Sequence, residues 1–183
     1  MKISQSEKLI LALLCEIHQE LGLDKKGGLD SKLISSALNT QNTWAIEQKY
    51  DGILWWNPEG EIPNDVAFVC NTLSMWRFIE ISYNKLSSEE KFELKEKTHA
   101  FGNDITFNGF DGYSESKFIS IAKFYINEMH VFSEFSGRTL STHSPRATTY
   151  QRMLSNFKPI KDEMLHSSSN TLSIEQLIMI LKA

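Results

Sequence analysis

The sequence is poor in the residue types that announce a chemistry. Its two cysteines, Cys15 and Cys70, both fall in helical patterns, which excludes a secreted disulfide framework and any Cys-x-x-Cys motif. The five histidines (His18, His99, His130, His143 and His166) make no H-E-x-x-H pair, the spacing that sets two imidazoles on one helix face for zinc. Cys15 and His18 lie three apart on one helical pattern, where the ordinary reading is a core cysteine beside a surface histidine. There is no G-x-S-x-G elbow for a nucleophile. G-F-D-G is no dinucleotide fingerprint, and DKKGG lacks the spacing of a phosphate loop. Neither a metal nor a cofactor is expected.

Positive charge is scarce too. Lys and Arg number 19 against 23 Asp and Glu, and the formal net charge of −4 weighs against adhesion to nucleic acid or anionic membrane. Long apolar runs are missing, since none approaches the roughly 18 residues that cross a bilayer. The opening MKISQSEKLILALLCEIHQE is interrupted by Glu16, His18 and Glu20 and shows no small-residue cleavage site. The expected setting is the cytoplasm, away from membranes. No repeat or low-complexity segment appears beyond the serines at 167–169.

What is abundant is helical periodicity. Hydrophobic residues make up 41%, and 183 residues suffice for one well-filled domain without disulfides or metal. Ser4 with Glu7 forms a capping box, after which Leu9, Ile10, Leu13, Leu14, Ile17 and Leu21 share one face until Gly22. Asp30 caps a short helix to Leu38. Another carries Trp44, Ile46, Tyr50, Ile53 and Leu54 and stops before Asn57-Pro58. Pro63 opens a long helix with Val66, Val69, Leu73, Trp76 and Ile79 on one side and Phe68, Met75 and Phe78 on another, so it is expected at the centre. Ser87 and Glu90 cap a charged helix that Gly102 can end. Phe118 to Phe132 marks about five turns. Ser144-Pro145 opens PRATTYQRMLSNF, with Pro159 just past its end, and Ser173 with Gln176 caps a last helix. No strand-like segment competes. The expected fold is all-α, a multi-helix single domain over 1–183, with a subdivision into an N-terminal helical part (1–60) and a C-terminal core (61–183).

With those residues placed, the chain resembles the YfbU family of uncharacterised bacterial proteins. The likeness rests on TFNGFDGYSESKF and KFYIN between Ile105 and Phe135, on TYQRML at 149–154, on LSIEQLIMI near the C-terminus and on SQSEKLIL at the start. The resemblance implies an all-helical fold and supplies no activity, cofactor or catalytic residue.

The stretch DITFNGFDGYSE, residues 104–115, has an EF-hand-like register. Asp104, Thr106, Asn108, Gly109 and Glu115 fall at the first, third, fifth, sixth and twelfth places. Asp111 takes the eighth place, where such loops carry an apolar residue. The simpler reading is a structural loop: glycines turn it, Phe107 and Phe110 anchor it, Asp111 or Ser114 caps the next helix, and Glu115 sits at that helix's positive end. A polar cluster of Asp111, Glu115, Lys117, Asn127, His143, Tyr150 and Arg152 has two readings. One is an internal network tying loop to helix. The other is a small-molecule pocket with Asp111 or His143 as acid or base and Arg152 as anion anchor. Residues 30–54 can be drawn as a helix-turn-helix, but TWAIEQKYDGIL carries one lysine against Glu47 and Asp51, so nucleic acid is not the expected partner. The expectation is a non-enzymatic homo-oligomer acting through protein contacts. Trp44, Tyr50, Trp55 and Trp56 are its expected interface, because aromatic anchors favour interface centres, with ordinary core filling as the alternative for the tryptophans.

Overall fold

A computed structural model describes residues 3–26, 28–50, 62–98, 105–167 and 170–183. Eight α-helices make up nearly all of the regular structure among them. They are α1 (Gln5–Glu20), α2 (Ser31–Asn39), α3 (Trp44–Lys49), α4 (Asn64–Lys85), α5 (Ser88–Lys97), α6 (Ser116–Lys123), α7 (Ala147–Ser167) and α8 (Ile174–Leu181). The fold is all-α.

Local chemistry sets most of the helix starts. Ser4, Ser87 and Ser173 each form the full reciprocal capping box with the Glu or Gln three residues on. Asp30 accepts the Leu33 amide at 3.0 Å to open α2. Each such cap stabilises by about 1 kcal/mol, because it satisfies amides that the helix itself leaves unpaired.

The central helix is α4, whose Val66, Val69, Leu73, Trp76 and Ile79 are at most 2% exposed. Around it pack α6 and α7, with α8 on α7 and α5 on α8. Phe107, Phe110, Phe135, Trp76 and Tyr150 form one aromatic cluster, with neighbouring ring centroids 5.4–6.0 Å apart. A smaller cluster of Leu33, Ala37, Ala45, Ile46, Tyr50 and Phe124 lies under α2 and α3, and Trp44 and Met129 touch both clusters. Helix α1 packs on α2.

Four features differ from the helical pattern read in sequence. The helix after residue 115 is shorter than five turns. It widens into one π-helical turn over Phe124–Glu128, where the Met129 amide reaches back to the Phe124 carbonyl at 3.0 Å. That widened turn buries three consecutive residues, Phe124, Tyr125 and Ile126. It also leaves Asn127 exposed rather than half-buried.

Second, Pro159 lies inside α7, not beyond it. A proline there forfeits a backbone bond at a cost of about 3 kcal/mol. Phe157 on one side of it and Ile160 and Met164 on the other are all buried, and that burial offsets the loss. Third, α7 begins at Ala147, later than the Ser144-Pro145 signal. Fourth, two residues of parallel ladder join β1 (Phe110–Asp111) to β2 (Ser141–Thr142). The expected endings at Leu54 and at Gly102 lie outside the described residues.

Helix α1 turns its apolar face outward. Its apolar stripe, Leu9, Ile10, Leu13, Leu14, Ile17 and Leu21, faces water with each residue 51–65% exposed. Cys15, on the opposite side, is buried.

Candidate functional site

The loop before α6 and the segment before α7 are brought together at the two-residue ladder. The Phe110 amide donates to the Leu140 carbonyl at 3.1 Å and the Gly112 amide to the Thr142 carbonyl at 3.0 Å. Gly109 permits this approach. It has φ +84°, and a β-carbon there would sit 2.1 Å from the Leu140 carbonyl oxygen. No other residue type fits.

Asp111 is buried and closes a turn on itself. One of its oxygens accepts the Ser114 amide and hydroxyl, both at 2.7 Å, and the Tyr113 amide at 3.3 Å. The two bonds from Ser114 hold its carboxyl below the usual carboxylate range against the opposing effect of desolvation, with small help from the Tyr113 amide and the nearby His143.

Glu115 is the hub. Its Oε2 accepts the Asp111 amide at 2.9 Å and the Arg146 amide at 3.1 Å. Its Oε1 accepts the Ala147 amide at 2.8 Å and shares the Arg146 amide at 3.0 Å. The side chain therefore caps α7 from another helix, placing an anion at the positive end of a 21-residue dipole. The four contacts match the roughly four lone-pair sites of a carboxylate, which leaves none for a bidentate cation. Glu115 itself occupies the N-cap position of α6 and makes no side-chain cap there, so its expected service to the following helix goes to α7 instead.

Tyr150 is fully buried, and its hydroxyl donates to the Gly109 carbonyl at 2.9 Å. Burial pushes its pKa upward, partly opposed by Arg146 and reinforced by Glu115. The phenol is a fixed donor, unsuited to act as a base.

Of the expected polar cluster, Asp111 and Glu115 are linked through the Asp111 amide, Tyr150 holds the same loop at Gly109, and His143 is exposed beside Asp111. Arg152 is exposed on α7; the arginine that meets this knot is Arg146, through its backbone. Lys117 pairs with Asp65 on α4 instead. An open, shallow depression lies outside the knot, lined by Asp111, Gly112, Tyr113, Ser141, Thr142 and His143. Tyr113 stands 98% exposed at its rim.

Two of the four aromatic residues expected at an interface, Trp44 and Tyr50, lie among the described residues. Tyr50 is buried in the chain's own core, its hydroxyl accepting the Asp30 amide at 2.6 Å. Trp44 packs on Phe124 and Tyr125, with centroids at 5.8 and 4.8 Å, and donates to Asn42 at 3.0 Å. Tyr50 is spent within the chain's own core, whereas Trp44 stays half-buried against the π-turn. Trp55 and Trp56, with Asp104 of the calcium-like register, lie outside the described residues.

The surface that sequence reasoning missed is the outward stripe of α1. The signal was present. Leu11, Ala12 and Cys15 make the opposite face apolar as well, and a helix apolar on two sides needs cover on two sides. Only α2, and the 3-10 turn at Leu23–Lys26, supply contacts of any extent to it among the described residues. Six half-exposed aliphatic side chains amount to on the order of 600 Å², the upper end for the largest patch on an ordinary monomer.

No helix among the described residues is long and apolar enough to cross a membrane. A family model, the YfbU domain, matches residues 1–183, and the chain belongs to the YfbU family.

Proposed function

We propose that the chain works through protein contacts as a homo-oligomer, in the cytoplasm and without chemistry of its own. The observation that supports this is the solvent-facing stripe of α1. Its occupant is a second copy of the chain. Two such faces together bury about 1,200 Å², the lower bound of a stable specific interface, and a self-pairing patch needs no other partner.

The polar knot fits the same reading. Glu115 has its oxygens filled by amides, one Asp111 oxygen is turned on Ser114, and Tyr150 holds a carbonyl, so these groups secure a loop to α7. Against DNA recognition stands α3, whose Lys49 is paired with Asp30 at 2.9 Å. The variant Leu14→Glu tests the proposal, since the side chain is exposed in the single chain and the charge disturbs only an assembly. Light scattering should give the 21.0 kDa monomer with unchanged far-ultraviolet dichroism. A variant that keeps the wild-type multimeric mass refutes the assignment of the interface.

The second reading is a small-molecule site in the depression beside His143. It is favoured by one observation, the juncture of the 107–115 and 141–147 segments there. Its test is the His143 ring resonances, which a panel of small polar metabolites should leave unmoved if the first reading holds.

A further inference from the structure

The outward stripe of α1 has a spacing and a polarity that specify how two copies meet. Ile10, Leu14, Ile17 and Leu21 follow at intervals of four, three and four, the alternation of a two-helix seam. Continued toward the N-terminus, the same seam reaches Glu7, which is exposed and ionised, its carboxyl held low by the Ser4 hydroxyl and amide. The stripe is therefore anionic at one end and apolar at the other.

We propose, resting on the homo-oligomer reading above, that two α1 helices pair antiparallel across a twofold axis, with Ile10 over the partner's Leu21 and Leu14 over the partner's Ile17. Each α2 stands behind its own α1, so the order across the interface is α2, α1, α1, α2. A parallel pairing sets each Glu7 against its own mate inside the seam, with no basic side chain on the exposed stripe to offset the two charges. The antiparallel pairing keeps all four apolar layers. It moves the two Glu7 side chains about seventeen residues, or ~25 Å, apart along the axis. That separation exceeds the ~8 Å Debye length at physiological salt. Leu13, on the flank of the stripe, borders the same contact.

The two arrangements give opposite cross-links. In a full-length Cys15→Ala/Cys70→Ser background, Ile10→Cys and Leu21→Cys are made singly and together, and oxidised mildly. The antiparallel pairing predicts a covalent dimer from the double variant and none from either single variant. In that geometry the two copies of residue 10 are about eleven residues, or ~16 Å, apart, beyond the ~7 Å reach of a disulfide. A mixture of Leu14→Cys chains with Ile17→Cys chains tests the inner layer independently, should the outer substitutions loosen the assembly. It predicts the mixed dimer in excess over either like pair. Cross-linking of Ile10→Cys with itself overturns the antiparallel arrangement while leaving the homo-oligomer reading intact. So does a multimeric wild type in which neither the double variant nor the mixture cross-links. A wild-type monomer in the same buffer removes both.

Discussion

Replacing Glu115 by alanine removes one side chain and strands two elements. The amides of Asp111, Arg146 and Ala147 all lose their acceptor, and the first turn of α7 loses its counter-charge. Hydrogen bonds to a charged acceptor are worth about 1.5–3 kcal/mol each, less where water enters the gap left behind. Because these three share one side chain they do not add fully, and a total loss of about 3–5 kcal/mol follows. For a chain of this size ~1 kcal/mol moves the melting temperature by about 2–4 °C, so Glu115→Ala should melt on the order of 10 °C lower. Glu115→Gln should fall between, since it keeps one oxygen but turns an NH₂ group on donors. Differential scanning calorimetry of the three proteins is the assay. A Glu115→Ala melting temperature within about 3 °C of wild type would refute the hub role.

Other consequences test neighbouring parts of the account. Gly109→Ala should destabilise by about 3 kcal/mol or more in urea titration, because its methyl meets the Leu140 carbonyl at a positive φ. Tyr150→Phe keeps the ring in the aromatic cluster and loses only the bond to Gly109, so about 1–2 kcal/mol is expected. Asp111 has its folded pKa lowered, so its contribution is fully present above the unfolded value of about 3.9 and is lost as pH falls through the folded value. Acid melts should therefore show Asp111→Asn losing less stability than wild type below about pH 4. Calcium at millimolar concentration should leave the wild-type melting temperature unchanged; a graded rise that Glu115→Gln abolishes would contradict the filled carboxylate.

The parts of this fold that were legible in sequence are those governed by neighbours in the chain. The reciprocal boxes at Ser4, Ser87 and Ser173 and the Asp30 cap are decided within four residues, and each opens a helix where its spacing indicates. The start of α7 differs from the Ser144-Pro145 signal because its cap comes from Glu115, some thirty residues away. The β1–β2 ladder is equally non-local and too short to leave an alternating pattern. Pro159 reads as a helix end by its own chemistry, while the burial of Ile160 and Met164 beyond it is a tertiary effect. At the site, the pattern F-N-G-F-D did point to anchors, a turn and caps, but not to which helix the cap serves. Residue type alone points Trp44 and Tyr50 to an interface as readily as to a core, and their contacts with Phe124, Tyr125 and Asp30 are tertiary. The face of α1 was visible as apolar. That nothing among the described residues covers it was not, since amphipathicity names a face and leaves its partner open.

The claim on which the functional reading stands is that a second copy covers α1. Sedimentation equilibrium of the wild-type chain from about 1 to 50 μM measures it directly, in a range that brackets ordinary affinities for interfaces of this size. The account predicts a mass of at least twice 21.0 kDa at the upper end, and a return to 21.0 kDa on substituting Leu14 by glutamate. A single species of 21.0 kDa at every concentration would contradict it.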